Sequence, residues 1–272
     1  MDSVENLLTH AEEEKEQSPL TSESISITTS PFPRLQIFLD LDDCLVNTER
    51  VGIFKNVQEV WNQMGFESFP ISIPWQSIGQ MPHIVVMRPG LRQFLSEAHA
   101  IADLYIFTQG IEEYATKVAA YLDPSSTLIQ KVWSRESVCY VGGMYTKDLT
   151  KLEGVIFNPK RGILIDNDSF NMLYQPHNGI ISQSSSTMSW GVTKYHSCSK
   201  KKPEDNPLLD ILTELQLINH LEDIRPYLRD KYQIAELIKA THDSILPHGW
   251  EREYCIIEEE KLVRDDRDRS FS

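Results

Sequence analysis

The strongest constraint on this chain is a set of short, nearly all-apolar runs, each ending on an acidic or hydroxyl residue. Leu35-Gln36-Ile37-Phe38-Leu39 begins abruptly and leads into Asp40-Leu41-Asp42-Asp43. Ile101 to Phe107 leads into Thr108, and Gly162-Ile163-Leu164-Ile165 into Asp166-Asn167-Asp168. A half-solvated strand alternates apolar and polar residues. Runs that are apolar on both parities need burial on both faces, which a parallel sheet covered by helices supplies.

The segments between these runs have helical periodicity. Leu91 to Ala100 places Leu91, Phe94, Leu95 and Ala98 on one face, and Ile111 to Leu122 does the same with Tyr114, Ala115, Val118, Ala119 and Leu122. Strands alternating with helices predict an α/β fold, a Rossmann-like parallel sheet flanked by helices. Other segments predict a helix over Phe54 to Met64 with irregular chain up to Met81, then a strand over His83 to Met87. A small hairpin insertion is expected over Lys131 to Tyr145, turning at Gly142-Gly143, with a strand at Gly179 to Ile181 and a helix from Pro207 to Leu228.

The flanks read differently. Residues 1–33 form an acidic, Ser/Thr-rich leader with a short frayed helix expected over Val4 to Lys15. One domain is expected over residues 34–257, with no large cap domain, followed by a charged tail over 258–272.

Composition excludes several classes. A net charge of −14 argues against a nucleic-acid partner, which needs clustered Lys and Arg. The four cysteines are widely separated, which suits a reducing compartment and offers no zinc motif. No apolar run approaches the ~20 residues of a membrane helix, and no secretory signal opens the chain. A soluble intracellular protein, nuclear or cytoplasmic, is expected.

Ligands of open α/β sheets bind beyond the carboxyl ends of the strands. Asp40, Asp42, Thr108, Asp166 and Asn167 are therefore expected at one rim, where several carboxylates repel one another unless a cation joins them. Oxygen ligands without His or Cys favour Mg²⁺. Each Asp taken singly also suits a helix cap or turn.

Asp40-Leu41-Asp42-Asp43-Cys44 resembles the D-x-D-x-T signature of the haloacid dehalogenase superfamily. The chain is more closely similar to its small C-terminal-domain phosphatases of the NLI-interacting-factor type. That likeness is carried also by Val86 to Leu91, Phe107-Thr108, Tyr145-Thr146-Lys147-Asp148-Leu149, Leu164-Ile165-Asp166-Asn167 and Gln175 to Ile180, between about Leu35 and Leu228.

The resemblance implies a Mg²⁺-dependent phosphatase acting on phosphoserine or phosphothreonine of a protein, the RNA polymerase II C-terminal domain being the family's best-known substrate. It implies Asp40 as nucleophile and Asp42 as general acid and then base. Mg²⁺ would lie at Asp40, Asp42, Asp166 and Asn167. Thr108 and Lys147 would hold the phosphate, while Tyr114 and Arg135 line the substrate groove.

Departures from the family pattern are Cys44 in place of Thr, Asn47-Thr48 in place of His-Ser, and Asp168 in place of Ser. Two other functions suit the same fold: a small-metabolite phosphatase, and a catalytically weak protein-binding module.

Overall fold

The computed structural model describes residues 30–51, 56–75, 79–182 and 206–246. The expected helix over Val4 to Lys15, the leader up to residue 29 and the tail after residue 246 lie outside these. With strands numbered in chain order, the central sheet contains β1 (Leu35–Leu39), β5 (Ala102–Phe107), β6 (Ile129–Trp133), β9 (Gly162–Asp166) and β10 (Gly179–Ile181). Their order is β10-β9-β1-β5-β6 and every pairing is parallel. The chain builds β5 and β6 on one side of β1, then returns to build β9 and β10 on the other. The carboxyl end of β1 is thus the switch point where such sheets bind ligands.

Burial on both faces follows from the apolar runs. Leu35, Ile37 and Leu39 join Leu104, Ile106, Ile163 and Ile165 in one core. It is covered by α2 (Leu91–Ile101), α3 (Glu112–Leu122) and α4 (Pro207–Ile218). The opposite parity, Phe38, Phe107, Trp133 and Leu164, packs with Phe170 and with Ile234 and Ile238 of α6 (Ile234–His242). The buried residues of α2 and α3 are those of the apolar stripes read from sequence. Gly142 and Gly143 both have positive φ, as a two-residue hairpin turn between β7 (Cys139–Val141) and β8 (Met144–Thr146) requires.

Four expectations change. The chain up to Met81 is not irregular: β2 (Val46–Arg50), β3 (Ser68–Trp75) and β4 (Gly79–Met87) form an antiparallel sheet in the order β2-β4-β3, with α1 (Val57–Gln63) between β2 and β3. Prolines obscured it. The pairs Pro70↔Ile84, Ser72↔Pro82 and Pro74↔Gln80 share one parity of the ladder, the parity at which neither residue donates an N–H to the other strand.

Second, Ile129–Trp133 is an edge strand of the main sheet, so the hairpin is confined to Cys139–Thr146. Third, Ile101 ends α2 rather than starting β5.

Fourth, the segment from Pro207 to Leu228 is two helices, α4 and α5 (Arg225–Tyr232), and α6 follows without a sequence signal that had marked it. The break is made by a distant residue. Arg161, 1% exposed, donates to the carbonyls of Asn219 and Leu221 and to Asn219 Oδ1, and its Nε reaches the Pro33 carbonyl at 2.8 Å. Carbonyls at a helix end lack intrahelical partners, and here a guanidinium satisfies them.

A similar device joins α3 to β6. Asp123 caps the end of α3 and accepts backbone N–H groups of Thr127 (3.1 Å), Leu128 (2.8 Å) and Ile129 (2.9 Å). Burial raises the Asp123 pKa, but these bonds and Ser125 outweigh it and hold the carboxyl below its ordinary value. A depressed folded-state pKa means stability that is present above the unfolded value and lost as pH falls through the folded one. Asp123→Ala is therefore expected to cost about 1–3 kcal/mol at neutral pH. In urea titrations, the gap between wild type and variant should begin to narrow below about pH 4 and go on narrowing as pH falls through the depressed folded-state value. A gap independent of pH would contradict this account.

Candidate active site

Register brings the expected residues together. Leu39 pairs with Ile165 on one side and Ile106 on the other, so Asp40, Asp166 and Thr108 emerge at adjacent strand ends. The Asp40 N–H donates to the Ile165 carbonyl at 3.0 Å, extending the ladder to the first acidic residue. The chain then turns sharply: the N–H groups of Cys44, Leu45 and Val46 all point at the Leu41 carbonyl, with Asp43 in the left-handed region at φ 59°. That turn directs Asp40 and Asp42 toward the same rim.

Lys147 arrives from another element. Immediately after β8 its N–H donates to the Asn171 carbonyl, and Gln175 Nε2 donates to its own carbonyl at 2.9 Å. With the backbone held on both sides, the fully buried side chain reaches Asp40 Oδ1 at 2.7 Å and Asp166 Oδ2 at 2.6 Å. Its ammonium lies 5.5 Å from the centre of the Phe107 ring.

Burial opposes the charge on Lys147, yet Asp166 and Asp40 together raise its pKa above the ordinary value. For Asp40 burial dominates: although Lys147 pulls the other way, its carboxyl is pushed up to about 8. Asp40 and Asp166 share this single ammonium, and Asp42 is held separately by a hydrogen bond from Tyr114.

Asp166 is fixed from three directions. Asn171 Nδ2 donates to both of its oxygens at 2.9 and 3.0 Å, and the Asp168 N–H donates to Oδ1 at 2.9 Å. Asn171 is itself oriented by Gln109, whose Nε2 donates to Asn171 Oδ1 at 2.6 Å. Asn171, Gln109 and Gln175 were not anticipated, because a single amide inside a turn has no recognisable spacing. Asn167 is half-buried beside Asp166. Asp168 works locally, accepting from the Phe170 N–H at 2.9 Å to start the next turn.

Thr108 is buried at the end of β5, and its Oγ1 accepts the Gly110 N–H at 3.0 Å, leaving its proton free to be donated. Arg135 is exposed, anchored by a 2.7 Å bond from Nε to the Gln109 carbonyl at the same loop. Tyr114, expected to line the substrate groove, sits beside Asp42. It is 4% exposed and its hydroxyl donates to Asp42 Oδ1 at 2.6 Å. Cys44 donates weakly to the Ile165 carbonyl at 3.7 Å, and burial beside Asp40 and Asp166 pushes its thiol up to about 12. Burial thus favours the neutral thiol at this position.

The donor set suits a hard dication. Asp40, Asp166, Asn167 and the Asp42 carbonyl are oxygen donors at neighbouring strand ends, and a cation there would offset the burial and the neighbouring carboxylates that push the Asp40 carboxyl up. Among the described residues no group of three or more His, Cys, Asp or Glu side chains is placed to hold a metal ion, so the donor set would have to draw on the Asn167 and Asp42 carbonyl oxygens as well. No helix among the described residues is long and apolar enough to cross a membrane.

Comparison with known proteins matches residues 35–225 to the family described as NLI interacting factor-like phosphatase. The chain is similar to CTD small phosphatase-like protein 2 of Dictyostelium discoideum, at 28% identity over 76% of this chain and 31% of the relative. It is 31% identical to CTD small phosphatase-like protein 3 of Caenorhabditis elegans over 81% of this chain and 69% of that protein. The chain thus spans less than a third of the first relative's length. Among solved structures it shares its fold with Fcp1, an essential RNA polymerase II CTD phosphatase, at TM-score 0.52 and 18% identity, covering 77% of this chain and 67% of that one.

Proposed function

This chain belongs to the NLI interacting factor-like phosphatases of the haloacid dehalogenase superfamily, and on that premise we propose that it is a Mg²⁺-dependent protein phosphatase with Asp40 as nucleophile. The observation that carries the proposal is the buried Asp40–Lys147–Asp166 triad, with Asp42 beside it on a separate hydrogen bond. A structural ion pair would have no use for a third carboxylate at the mouth of a sheet.

The family resemblance supplies the roles, and the geometry supports them. An Asp40 carboxylate oxygen bonds to phosphorus as the bond from phosphorus to the serine or threonine oxygen breaks, giving an aspartyl-phosphate. Asp42 gives its proton to the departing oxygen. It then takes a proton from water, whose oxygen displaces Asp40 from phosphorus and releases inorganic phosphate. Lys147 neutralises charge on Asp40 and on the phosphoryl oxygens, and the free Thr108 proton is donated to one of those oxygens. Arg135, exposed at the Thr108 loop, contacts the substrate chain. Asp40, Asp166, Asn167 and the Asp42 carbonyl would hold Mg²⁺, which supplies positive charge against the phosphate dianion and the anionic nucleophile.

The substrate is a phosphoserine or phosphothreonine protein, and the RNA polymerase II C-terminal domain is a candidate from the relatives' names. Free Cys44 and Cys139 suit a reducing nuclear or cytoplasmic setting. The test is hydrolysis of p-nitrophenyl phosphate, phosphoserine and phosphothreonine peptides and sugar phosphates, with and without Mg²⁺. Release from the peptides that is lost with chelator and restored by Mg²⁺ is expected. Turnover of sugar phosphates alone would overturn the protein-substrate reading, and no Mg²⁺-dependent release from any substrate would overturn the enzyme.

A further inference from the structure

Tyr114 and Thr48 form a hydrogen-bonded chain with Asp42 that the phosphatase chemistry described above does not use. Tyr114 Oη lies 2.6 Å from Asp42 Oδ1 and 2.7 Å from Thr48 Oγ1. The two hydroxyls come from different layers: Tyr114 from α3 against the main sheet, Thr48 from β2 of the antiparallel insertion. Resting on the reading of Asp42 as general acid, we propose that Thr48 and Tyr114 are positioning residues, a relay that fixes which Asp42 oxygen carries the proton.

The direction of the relay follows from proton inventory. A phenol has one proton to donate. An ionised Asp42 accepts only, so Tyr114 gives its proton to Oδ1, and the Thr48 proton goes to the phenol oxygen or to the Asp42 carboxylate, on which Thr48 also acts directly. When Asp42 is protonated, Oδ1 is still engaged by the phenol, so the proton resides on Oδ2. A carboxylic acid pinned in this way offers its proton in one direction, as transfer to a leaving oxygen demands.

Packing holds the phenol in place. Tyr114 is buried, and its ring lies so close to Gly110 that a β-carbon there would stand 2.6 Å from Cδ1. Gly110 also donates its N–H to Thr108 Oγ1, so the turn that seats Tyr114 positions Thr108 as well. Thr48 pairs with Val85 on β4, which ties the hydroxyl to the insertion sheet. The relay therefore joins the acid to that sheet. A valine at position 48 keeps the shape and removes the donor, whereas a serine keeps the donor.

The test exploits the leaving group. p-Nitrophenolate departs with little need of a proton, and a serine alkoxide needs one. Tyr114→Phe is expected to lower kcat/KM for alkyl phosphates (a phosphoserine peptide and glycerol 2-phosphate) by about 10–100-fold and for p-nitrophenyl phosphate by less than about threefold. Thr48→Val should show the same selectivity at smaller size, and Thr48→Ser should restore wild-type rates. In an Asp42→Asn background, Tyr114→Phe should have no further effect on the alkyl substrates.

Equal losses on aryl and alkyl substrates, no loss on either, or a full Tyr114 effect without Asp42 would each overturn the relay while leaving the phosphatase standing. Wild-type protein inactive on all three substrates would overturn the phosphatase reading and the relay with it.

Discussion

Asp40→Asn is expected to remove turnover almost completely, lowering kcat on the order of 10⁴-fold or more, while leaving the protein folded. An amide has nearly the same shape but cannot form the acyl-phosphate. The physical interest lies in the second half of this expectation. Burial makes an ionised Asp40 unfavourable, which is why its carboxyl is pushed up to about 8. Removing that charge leaves Lys147 with Asp166, a one-to-one pair at 2.6 Å. The melting temperature of metal-free protein is therefore expected to hold or rise. Phosphate release and thermal unfolding of the same sample check both halves. Retained turnover would exclude Asp40 as the nucleophile.

Lys147→Met is expected to do the opposite to stability and the same to activity. The methionine chain fills much of the space but leaves two buried carboxylates, Asp40 and Asp166, facing each other without their shared cation. Breaking a buried ion pair from one side costs about 3–5 kcal/mol. For a domain of this size that lowers the melting temperature by roughly 6–20 °C. Turnover should fall on the order of 10³-fold, since charge on the phosphoryl oxygens loses its buried partner.

The double variant Lys147→Met with Asp40→Asn separates the two effects: much of the stability should return, and none of the activity. If the single Lys147 variant melts with wild type, the ammonium is not the group that holds the two strand ends together. If the double variant recovers no stability, repulsion between the carboxylates is not the source of the loss.

These outcomes depend on residues with very different visibility in the sequence. Asp40, Asp166 and Thr108 were legible because each follows an apolar run, and a strand buried on both faces must end at a sheet rim. Lys147 had no such mark. It follows a three-residue strand of a hairpin, where a lysine is ordinarily solvated, and only the surrounding Tyr145-to-Leu149 resemblance singled it out. Tyr114 was legible as a helix-face aromatic, but its hydroxyl's partner was not, since Asp42 lies 72 residues away in the chain.

The prolines misled in a specific way. Pro70, Pro74 and Pro82 look like strand breakers, yet all three occupy the one ladder parity at which no N–H is owed to the paired strand. Single-residue punctuation cannot show that, because parity is a property of two strands in register. Arg161 similarly ends α4 from 58 residues away by capturing the Asn219 carbonyl.

The sequence by itself determined the parallel sheet, the two stripes that cover one face and the acidic rim, because burial periodicity is local and each apolar run carries it whole. The tertiary structure alone decided how the charges are shared. Asn171 and Gln109 orient Asp166, Lys147 divides itself between Asp40 and Asp166, and Tyr114 takes Asp42. Apart from the local Asn171–Asp166 bond, these hydrogen bonds join residues separated in the chain and exist only after packing has brought the strand ends together, so no local pattern records them.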